Sequence, residues 1–187
     1  MARKTFQEAS RAILSEIEEA LAGVREEQIE GLLEAVSQAG AVFVTGEGRS
    51  GLVARCFAMR LVHLGLSAHV VGETASPALG KGDLLVAVSG SGESEITCAR
   101  ARLAAKHGAR VAALTGSEGS SLASGADLVV VVPASSGAGA GASGSGQFGG
   151  SLFEQSALVA LDAVVLELQE RLGVSGEEMA ARHATVE

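Results

Sequence analysis

The chain has 187 residues, of which 47% are hydrophobic, and it carries a formal net charge of −8. The length suffices for one domain with its own core, and the acidic balance argues against nucleic acid as a partner. No apolar run approaches the ~20 residues that cross a membrane, and the N-terminal residues lead into an amphipathic helix rather than a secretion signal. We therefore expect a cytoplasmic protein with no membrane partner.

The cysteine content is low. Cys56 and Cys98 both fall within helical patterns, and without an export signal they are predicted to be reduced, buried thiols. No grouping of Cys and His with metal-ligand spacing is visible. We therefore expect neither a metal nor another cofactor.

Hydrophobic periodicity predicts two opening helices, over about 5–21 and 25–38. Five apolar runs rich in Val and Leu then alternate with helices; these predicted strands are Ala41–Thr45, Ala68–Val71, Leu84–Ser89, Arg110–Leu114 and Leu128–Val132. Continuous apolar strands that alternate with helices indicate a parallel sheet covered on both faces. The fold class is therefore α/β: a Rossmann-like, three-layer α-β-α sandwich with a five-stranded parallel sheet, in one domain over residues 1–187.

The last third of the chain contains a segment of unusual composition. Residues 134–146 are only Ala, Ser and Gly, which favours a flexible surface loop or, alternatively, a mobile lid. A long helix is predicted from Ser151 to about Leu172, ended by Gly173, and a short one near 177–182. The N-terminal helices 5–38 and C-terminal helices 151–183 are expected to pack on the core and on neighbouring subunits.

Two glycine- and serine-rich turns stand where a strand gives way to a helix. The first is Gly46–Gly51 and the second is Ser89–Ser94. Such a turn aims backbone N–H groups and the positive end of a helix dipole at one spot, which suits an anion. Two of them in one small domain predict a phosphorylated ligand.

The first turn also permits a different interpretation. Gly46-x-Gly48-x-x-Gly51 matches the dinucleotide fingerprint, and Glu73 lies at about the distance of the ribose-binding acid. Against this, no second domain remains to hold a hydride acceptor, and Arg49 would crowd a pyrophosphate. A tight turn with no ligand is the third possibility.

The second turn carries the stronger signal. Ser89, Ser91 and Ser94 place three hydroxyl groups within six residues, with glycines between them. An ordinary helix N-cap by Ser91 or Ser94 is the alternative, but a cap accounts for one serine rather than three.

With these turns in place, the chain resembles the sugar isomerase (SIS) domain family, whose members bind phosphosugars through S-x-S-G-x-[ST] loops. It is most similar to the 6-phospho-3-hexuloisomerases within that family. The stretches that carry the resemblance cover nearly the whole chain: Gly48–Arg55, Phe57–Gly65, Val71–Thr74, Gly82–Leu85, Gly149–Gln155 and Arg182–Glu187. The Ala/Ser/Gly tract, Phe148-Gly149 and Thr185-Val186 depart from the usual pattern, and the tract leaves lid behaviour open.

The resemblance implies an enzyme that interconverts D-arabino-3-hexulose 6-phosphate and D-fructose 6-phosphate through an enediol, in the ribulose monophosphate pathway of formaldehyde fixation or detoxification. Glu154 would be the acid/base, and His183 a second proton-handling group supplied by a neighbouring subunit of a homotetramer. The phosphate would be held by Ser50, Ser89, Ser91, Ser94 and Arg49, in loops shaped by Gly48, Gly90 and Gly92. Another phosphosugar isomerase, of the arabinose 5-phosphate type, and a non-catalytic phosphosugar-sensing module remain as alternatives.

Both proposed catalytic residues also have a structural interpretation. Glu154 begins a stripe of core-facing positions on its helix, so its carboxylate is expected on the inner face. Ser151-x-x-Glu154 is equally a capping box. A histidine in a charged tail such as His183 is usually just solvated, and His63 and His69 are expected to pack rather than react.

Overall fold

The protein, seen in a computed structural model that describes residues 5–134 and 145–185, is an α/β sandwich. Its helices are α1 (Phe6–Ala22), α2 (Glu26–Gln38), α3 (Gly48–His63), α4 (Glu95–Lys106), α5 (Ser121–Ser124), α6 (Ser151–Leu172) and α7 (Gly176–Ala181). Its strands are β1 (Val42–Gly46), β2 (Ala68–Val70), β3 (Leu84–Ser89), β4 (Arg110–Thr115) and β5 (Leu128–Val131). All paired strands are parallel, in the order β2-β1-β3-β4-β5, which confirms the predicted fold class.

The sheet is buried on both faces, which explains why its strands lack a polar alternation. Along β3, Leu84, Val86 and Val88 join the core formed with α2, α3 and α6. Leu85 and Ala87, between them, join a smaller core with α4 and α5. These two cores fill the spaces between the sheet and the helical layer on each of its faces.

The predicted and observed elements differ mainly at their ends. Helix α3 begins at Gly48, with Glu47 as an N-cap that makes no side-chain capping bond. Gly48 has a φ of 58° and so turns the chain directly from β1 into α3 without a capping serine. Ser50 consequently lies in the first turn of the helix. The predicted loop or lid over 134–146 lies outside the described residues, apart from its ends.

The prediction for the cysteines was half right. Cys98 is buried, but Cys56 is exposed on α3, and both are free thiols. The helical pattern placed Cys56 in the correct element, while its side chain lies on the outward face between Leu52 and Met59, both of which are also exposed.

The terminal helices pack against the sandwich. Helix α1 contacts α6, α2 contacts α6 and β5, and α7 contacts the C-terminal part of α3. Their packing on neighbouring subunits stays a prediction. No helix in residues 5–134 and 145–185 is long and apolar enough to span a bilayer.

Two glycines allow α3 to begin directly against the end of β1. A Cβ on Gly51 would lie 2.6 Å from the carbonyl oxygen of Gly46, and one on Gly46 would lie 2.8 Å from the Val88 oxygen. Real Cβ contacts are longer than this, so a side chain at either position would push α3 away from the sheet edge.

We therefore expect Gly51→Ala to lower the free energy of unfolding by about 1–3 kcal/mol, the usual cost of overpacking. Helix propensity alone predicts that the free energy of unfolding would rise instead, because Ala favours a helix over Gly by up to ~1 kcal/mol. Gly176→Ala in α7 is the matched control, since nothing lies within 4 Å of its added methyl group. Urea unfolding at a fixed protein concentration measures both, and equal stabilities would contradict a rigid Gly46–Gly51 contact.

Candidate active site

The two serine- and glycine-rich turns lie side by side at the carboxyl edge of the sheet. Their strands, β1 and β3, are direct neighbours, with Gly46 opposite Val88. The chain winds from β1 to β2 on one side and from β3 to β4 on the other, so this is the point where the winding direction reverses. In open α/β sheets, ligands bind in the crevice at such a point.

In the second turn each serine oxygen accepts a hydrogen bond from a backbone N–H. Ser89 Oγ accepts from Gly92 at 3.2 Å, Ser91 Oγ from Glu93 at 3.2 Å, and Ser94 Oγ from Thr97 at 3.5 Å. Ser94 is the N-cap of α4, so the capping interpretation holds for that residue. Because each hydroxyl uses its oxygen as an acceptor, its O–H remains a donor suited to an anion.

The shape of this turn depends on Gly92, which has a φ of 66°. A Cβ there would lie 2.1 Å from Ser120 Oγ and 2.8 Å from Thr115 Oγ1. Gly90 contributes its carbonyl oxygen, which accepts from the Gly116 N–H at 3.0 Å. The turn is therefore fixed by β4 and α5 beneath it.

Glu93 ties the same turn to α5, a role that sequence reasoning missed. Its carboxylate accepts from the Ser121 hydroxyl at 2.6 Å and from the Ser121 N–H at 2.8 Å. These bonds, the side-chain one first, hold the pKa of Glu93 below its ordinary value. Both carboxylate oxygens of Glu93 are thus engaged by Ser121.

Glu154 forms an ion pair with Arg49. The distance from Arg49 Nη1 to Glu154 Oε2 is 3.0 Å, and the same Nη1 donates to Ser151 Oγ at 2.8 Å. The Glu154 side chain is only 17% exposed, whereas that of Arg49 is 55% exposed. The pair joins the first turn of α3 to the first turn of α6.

This geometry shows that the capping-box interpretation was wrong. The N-cap of α6 is Gly150, which has no side chain to cap with, and Ser151 lies inside the helix. The Ser151 oxygen is engaged by Arg49 instead of by its own helix start. Glu154 therefore has a tertiary partner rather than a local capping role.

Ser50 lies in the first turn of α3 beside Arg49, and Gly48 begins that helix. The Ser50 side chain is largely buried, with 9% of the residue exposed. Ser50, Arg49 and Glu154 are thus brought to one end of α3 and α6, next to the crevice between the two turns.

Arg100 is a second residue that sequence reasoning missed. From α4 it crosses to the end of β1, where its Nη1 donates to Thr45 Oγ1 at 3.1 Å and to Glu47 Oε1 at 2.6 Å. It therefore connects the helix that follows the second turn with the first turn. Nothing in the local pattern of α4 distinguishes Arg100 from Arg102, so only the fold identifies it.

The structure does not bring His183 to Glu154 within one chain. The His183 ring stacks on His63 at a centroid distance of 5.1 Å, at the C-terminal end of α3. Arg49 and Ser50 lie at the other end of this helix, roughly 20 Å away at the 1.5 Å rise of an α-helix. Arg182 fixes the tail, since its Nη1 donates to the His63 carbonyl at 3.2 Å.

His63 was expected to pack, and it does, at 6% exposure. Burial, then the neighbouring charges of His183 and Arg60, lower the pKa of His63 from its ordinary value. A neutral His63 can stack on His183 without repelling it. His69 packs against the Phe43 ring at a centroid distance of 5.2 Å, as expected.

No three His, Cys, Asp or Glu side chains in the described part of the chain are arranged to hold a metal ion. The polar groups at the sheet edge are instead hydroxyls, backbone N–H groups, guanidinium groups and one sheltered carboxylate. Such a set suits a phosphorylated ligand and a proton transfer.

The chain is similar to several known proteins over nearly its whole length. It is 45% identical to 3-hexulose-6-phosphate isomerase of Mycobacterium gastri, over 94% of this chain and 88% of that relative. It is 41% identical to 3-hexulose-6-phosphate isomerase of Bacillus subtilis, over 94% of this chain and 95% of that relative. A crystal structure from Methanococcus jannaschii, described as inferring a 3-hexulose-6-phosphate isomerase function, superposes with a TM-score of 0.80 at 32% identity and covers 95% of this chain and 96% of that one. The SIS domain family itself matches residues 35–158. The chain therefore belongs to the SIS domain family.

Proposed function

We propose that this protein is an isomerase that interconverts D-arabino-3-hexulose 6-phosphate and D-fructose 6-phosphate. The similarity to two relatives named 3-hexulose-6-phosphate isomerase, over almost the full length of each chain, carries the proposal. The sheltered Glu154 carboxylate next to two phosphate-type turns supports it, because the reaction needs both a base and a phosphate site. The proposal includes work in the ribulose monophosphate pathway and a location in the cytoplasm.

The reaction moves a carbonyl group from C3 to C2 of the sugar. A base removes the proton on C2, the C2–C3 bond becomes the double bond of an enediol, and the C3 carbonyl oxygen gains a proton. The O2 hydroxyl then loses its proton as the C2 carbonyl forms, and a proton is returned to C3. One carboxylate placed over this bond can serve both carbon atoms, and we assign this role to Glu154.

The phosphate is assigned to the crevice between the two turns. The hydroxyl groups of Ser89, Ser91 and Ser94 and the Ser50 hydroxyl would donate to it, and the N-termini of α3 and α4 add the positive ends of their dipoles. Arg49 contributes a charge at the rim of the same crevice. Hydroxyls that already accept backbone N–H bonds are held in place, so little further ordering is needed on binding.

His183 is assigned to the site of a neighbouring subunit in a homotetramer. Its own chain holds it at the far end of α3 from Glu154. It would handle protons on the sugar oxygens. A 3-ketose whose C6 oxygen carries phosphate stays largely open, whereas fructose 6-phosphate closes a furanose ring. We therefore expect His183 to matter more for the reverse reaction, which needs ring opening.

The direct test is an isomerisation assay with D-arabino-3-hexulose 6-phosphate, without added metal or nucleotide. We expect fructose 6-phosphate to form at the same rate after treatment with EDTA, because the proposed proton transfers use side chains alone. Loss of activity with EDTA and its recovery with a metal would overturn the cofactor-free scheme. Arabinose 5-phosphate in a parallel assay tests the other isomerase, and fructose 6-phosphate binding without turnover of either sugar would favour the sensing module.

Glu154→Gln should lower kcat by at least ~10²-fold, the usual loss when a general base is removed. The amide keeps the size of the side chain and can still accept a hydrogen bond from Arg49, so fructose 6-phosphate should still bind. Glu170→Gln, on the exposed side of the same helix, is the matched control and should leave kcat unchanged. A near-normal kcat in Glu154→Gln would reduce Glu154 to a structural partner of Arg49.

Ser89→Ala, Ser91→Ala and Ser94→Ala should each raise KM by roughly tenfold or more, because a hydrogen bond to a charged group contributes ~1.5–3 kcal/mol. A smaller fall in kcat is expected as well, since phosphate binding helps to orient the sugar. Ser37→Ala in α2, whose hydroxyl bonds only to the Leu33 carbonyl among the described residues, is the control. Unchanged KM and unchanged affinity for inorganic phosphate in all three variants would rule out this turn as the phosphate site.

A further inference from the structure

The Ala/Ser/Gly tract ends at a polar contact with helix α1. The Glu16 carboxylate, in the C-terminal half of α1, accepts from Ser145 Oγ at 2.7 Å, from the Gly146 N–H at 3.0 Å and from Gln147 Nε2 at 2.9 Å. The Gln147 N–H in turn donates to Ser145 Oγ at 3.0 Å. Three successive residues are therefore tied to one carboxylate, and we call this contact the Glu16 anchor.

A carboxylate suits this contact because it only accepts hydrogen bonds, and all three groups that face it are donors. Hydrogen bonds to an ionised group are also about twice as strong as those between neutral groups. The sequence 134–146 has no side chain larger than Ser, and such side chains offer little apolar surface for packing. Glu16 thus supplies, from α1, a fixed point at the end of a segment that has few means of its own to be fixed.

The anchor lies close in sequence to the start of α6. Only residues 148–150 separate Gln147 from Ser151, the first residue of that helix. Gly149 has a φ of 60°, which turns the chain, and the N-cap Gly150 has no side chain to cap with. The start of α6 is therefore held by contacts with other elements rather than by its own capping residue.

The Glu154 carboxylate lies against this short segment. A Cβ added to Gly150 would be 3.6 Å from Glu154 Oε1, so this oxygen lies over the N-cap residue. The other oxygen, Oε2, pairs with Arg49 at 3.0 Å. Phe153, which is fully buried, fixes the helix itself, but the chain that precedes the helix depends on the Glu16 anchor.

We infer that Glu16 is a positioning residue, which holds the chain at 148–150 against the carboxylate of Glu154. The anchor shares no residue with the two serine- and glycine-rich turns, so a phosphate can bind there without breaking it. It keeps one side of the carboxylate in place even when Arg49 turns towards a bound phosphate. The inference rests on the proposed function only for its effect on kcat, since the anchor can be tested without an assay of activity.

An exchange of charge between Glu16 and Gln147 tests the contact. Gln147→Glu places two carboxylates where the 2.9 Å hydrogen bond stands, so the anchor should open. We expect kcat to fall by roughly tenfold to 10²-fold, because a misplacement of ~1 Å can cost as much. The double variant Glu16→Gln/Gln147→Glu again sets an amide donor against a carboxylate, so most of kcat should return.

The division of the effect between kcat and KM separates positioning from simple loss of stability. KM for the sugar phosphate and the affinity for inorganic phosphate should keep their wild-type values, because the phosphate groups are assigned to the turns that begin α3 and α4. Glu19→Gln, at an exposed position of α1, is the matched control and should change neither constant. A Gln147→Glu variant with lower thermal stability but wild-type kcat would overturn the inference, and so would a double variant no more active than Gln147→Glu.

Amide hydrogen exchange measures the anchor without any sugar. The Ser151 N–H donates to the Phe148 carbonyl at 3.3 Å and the Glu154 N–H to the Gly150 carbonyl at 3.0 Å, so a peptide over 148–155 reports whether this chain is held. We expect faster exchange there in Gln147→Glu and in Glu16→Ala, with the turn at 89–94 unchanged.

The exchange result also separates the anchor from the proposed function. Wild-type exchange over 148–155 in both variants would overturn the anchor, whatever the activity. Faster exchange in the variants of a protein that lacks isomerase activity would leave the anchor standing and remove the function.

Discussion

The close contact between Gly46 and Gly51 determines where the polar groups of the site lie. Because neither residue has a Cβ, the first turn of α3 packs directly on the end of β1. A Cβ added to Gly51 would lie only 2.6 Å from the Gly46 carbonyl oxygen. Arg49 and Ser50 are consequently held at the sheet edge, next to the turn that follows β3. The same glycines make the turn resemble a dinucleotide fingerprint, since both kinds of site need a helix that begins close to the sheet.

Helix α3 connects the two halves of the proposed chemistry. Its first turn holds Glu154 through Arg49, and its last turn holds His183 through His63 and Arg182. The helix is rigid and about 24 Å long at 1.5 Å per residue, so one chain cannot bring its own two groups together while both contacts persist. Under the proposed function, a site shared between subunits would reconcile this separation with a role for both groups.

The sequence predicted the sheet and the place of the site because both depend on local patterns. The strand β3 has the bounds that its apolar run predicted, and the serine turn follows it directly. The sequence-based interpretations failed where they depended on tertiary contacts. The Ser151–Glu154 spacing fits a capping box as well as a tertiary pair, and only the position of Arg49 on a distant helix decides between them. Cys56 was assigned to the core because periodicity does not show which of two apolar faces is covered.

Energies show how Arg49 can serve both Glu154 and a phosphate. An ion pair with one partner as exposed as Arg49 contributes only ~0–1 kcal/mol, whereas a hydrogen bond to a charged group contributes ~1.5–3 kcal/mol. A phosphate dianion between the two turns would therefore draw the guanidinium away from the carboxylate. The Glu154 carboxylate would then be released from its arginine partner and be free to contact the sugar. Under the proposed function, binding of the remote phosphate would thus prepare the group that reacts with the C2–C3 bond.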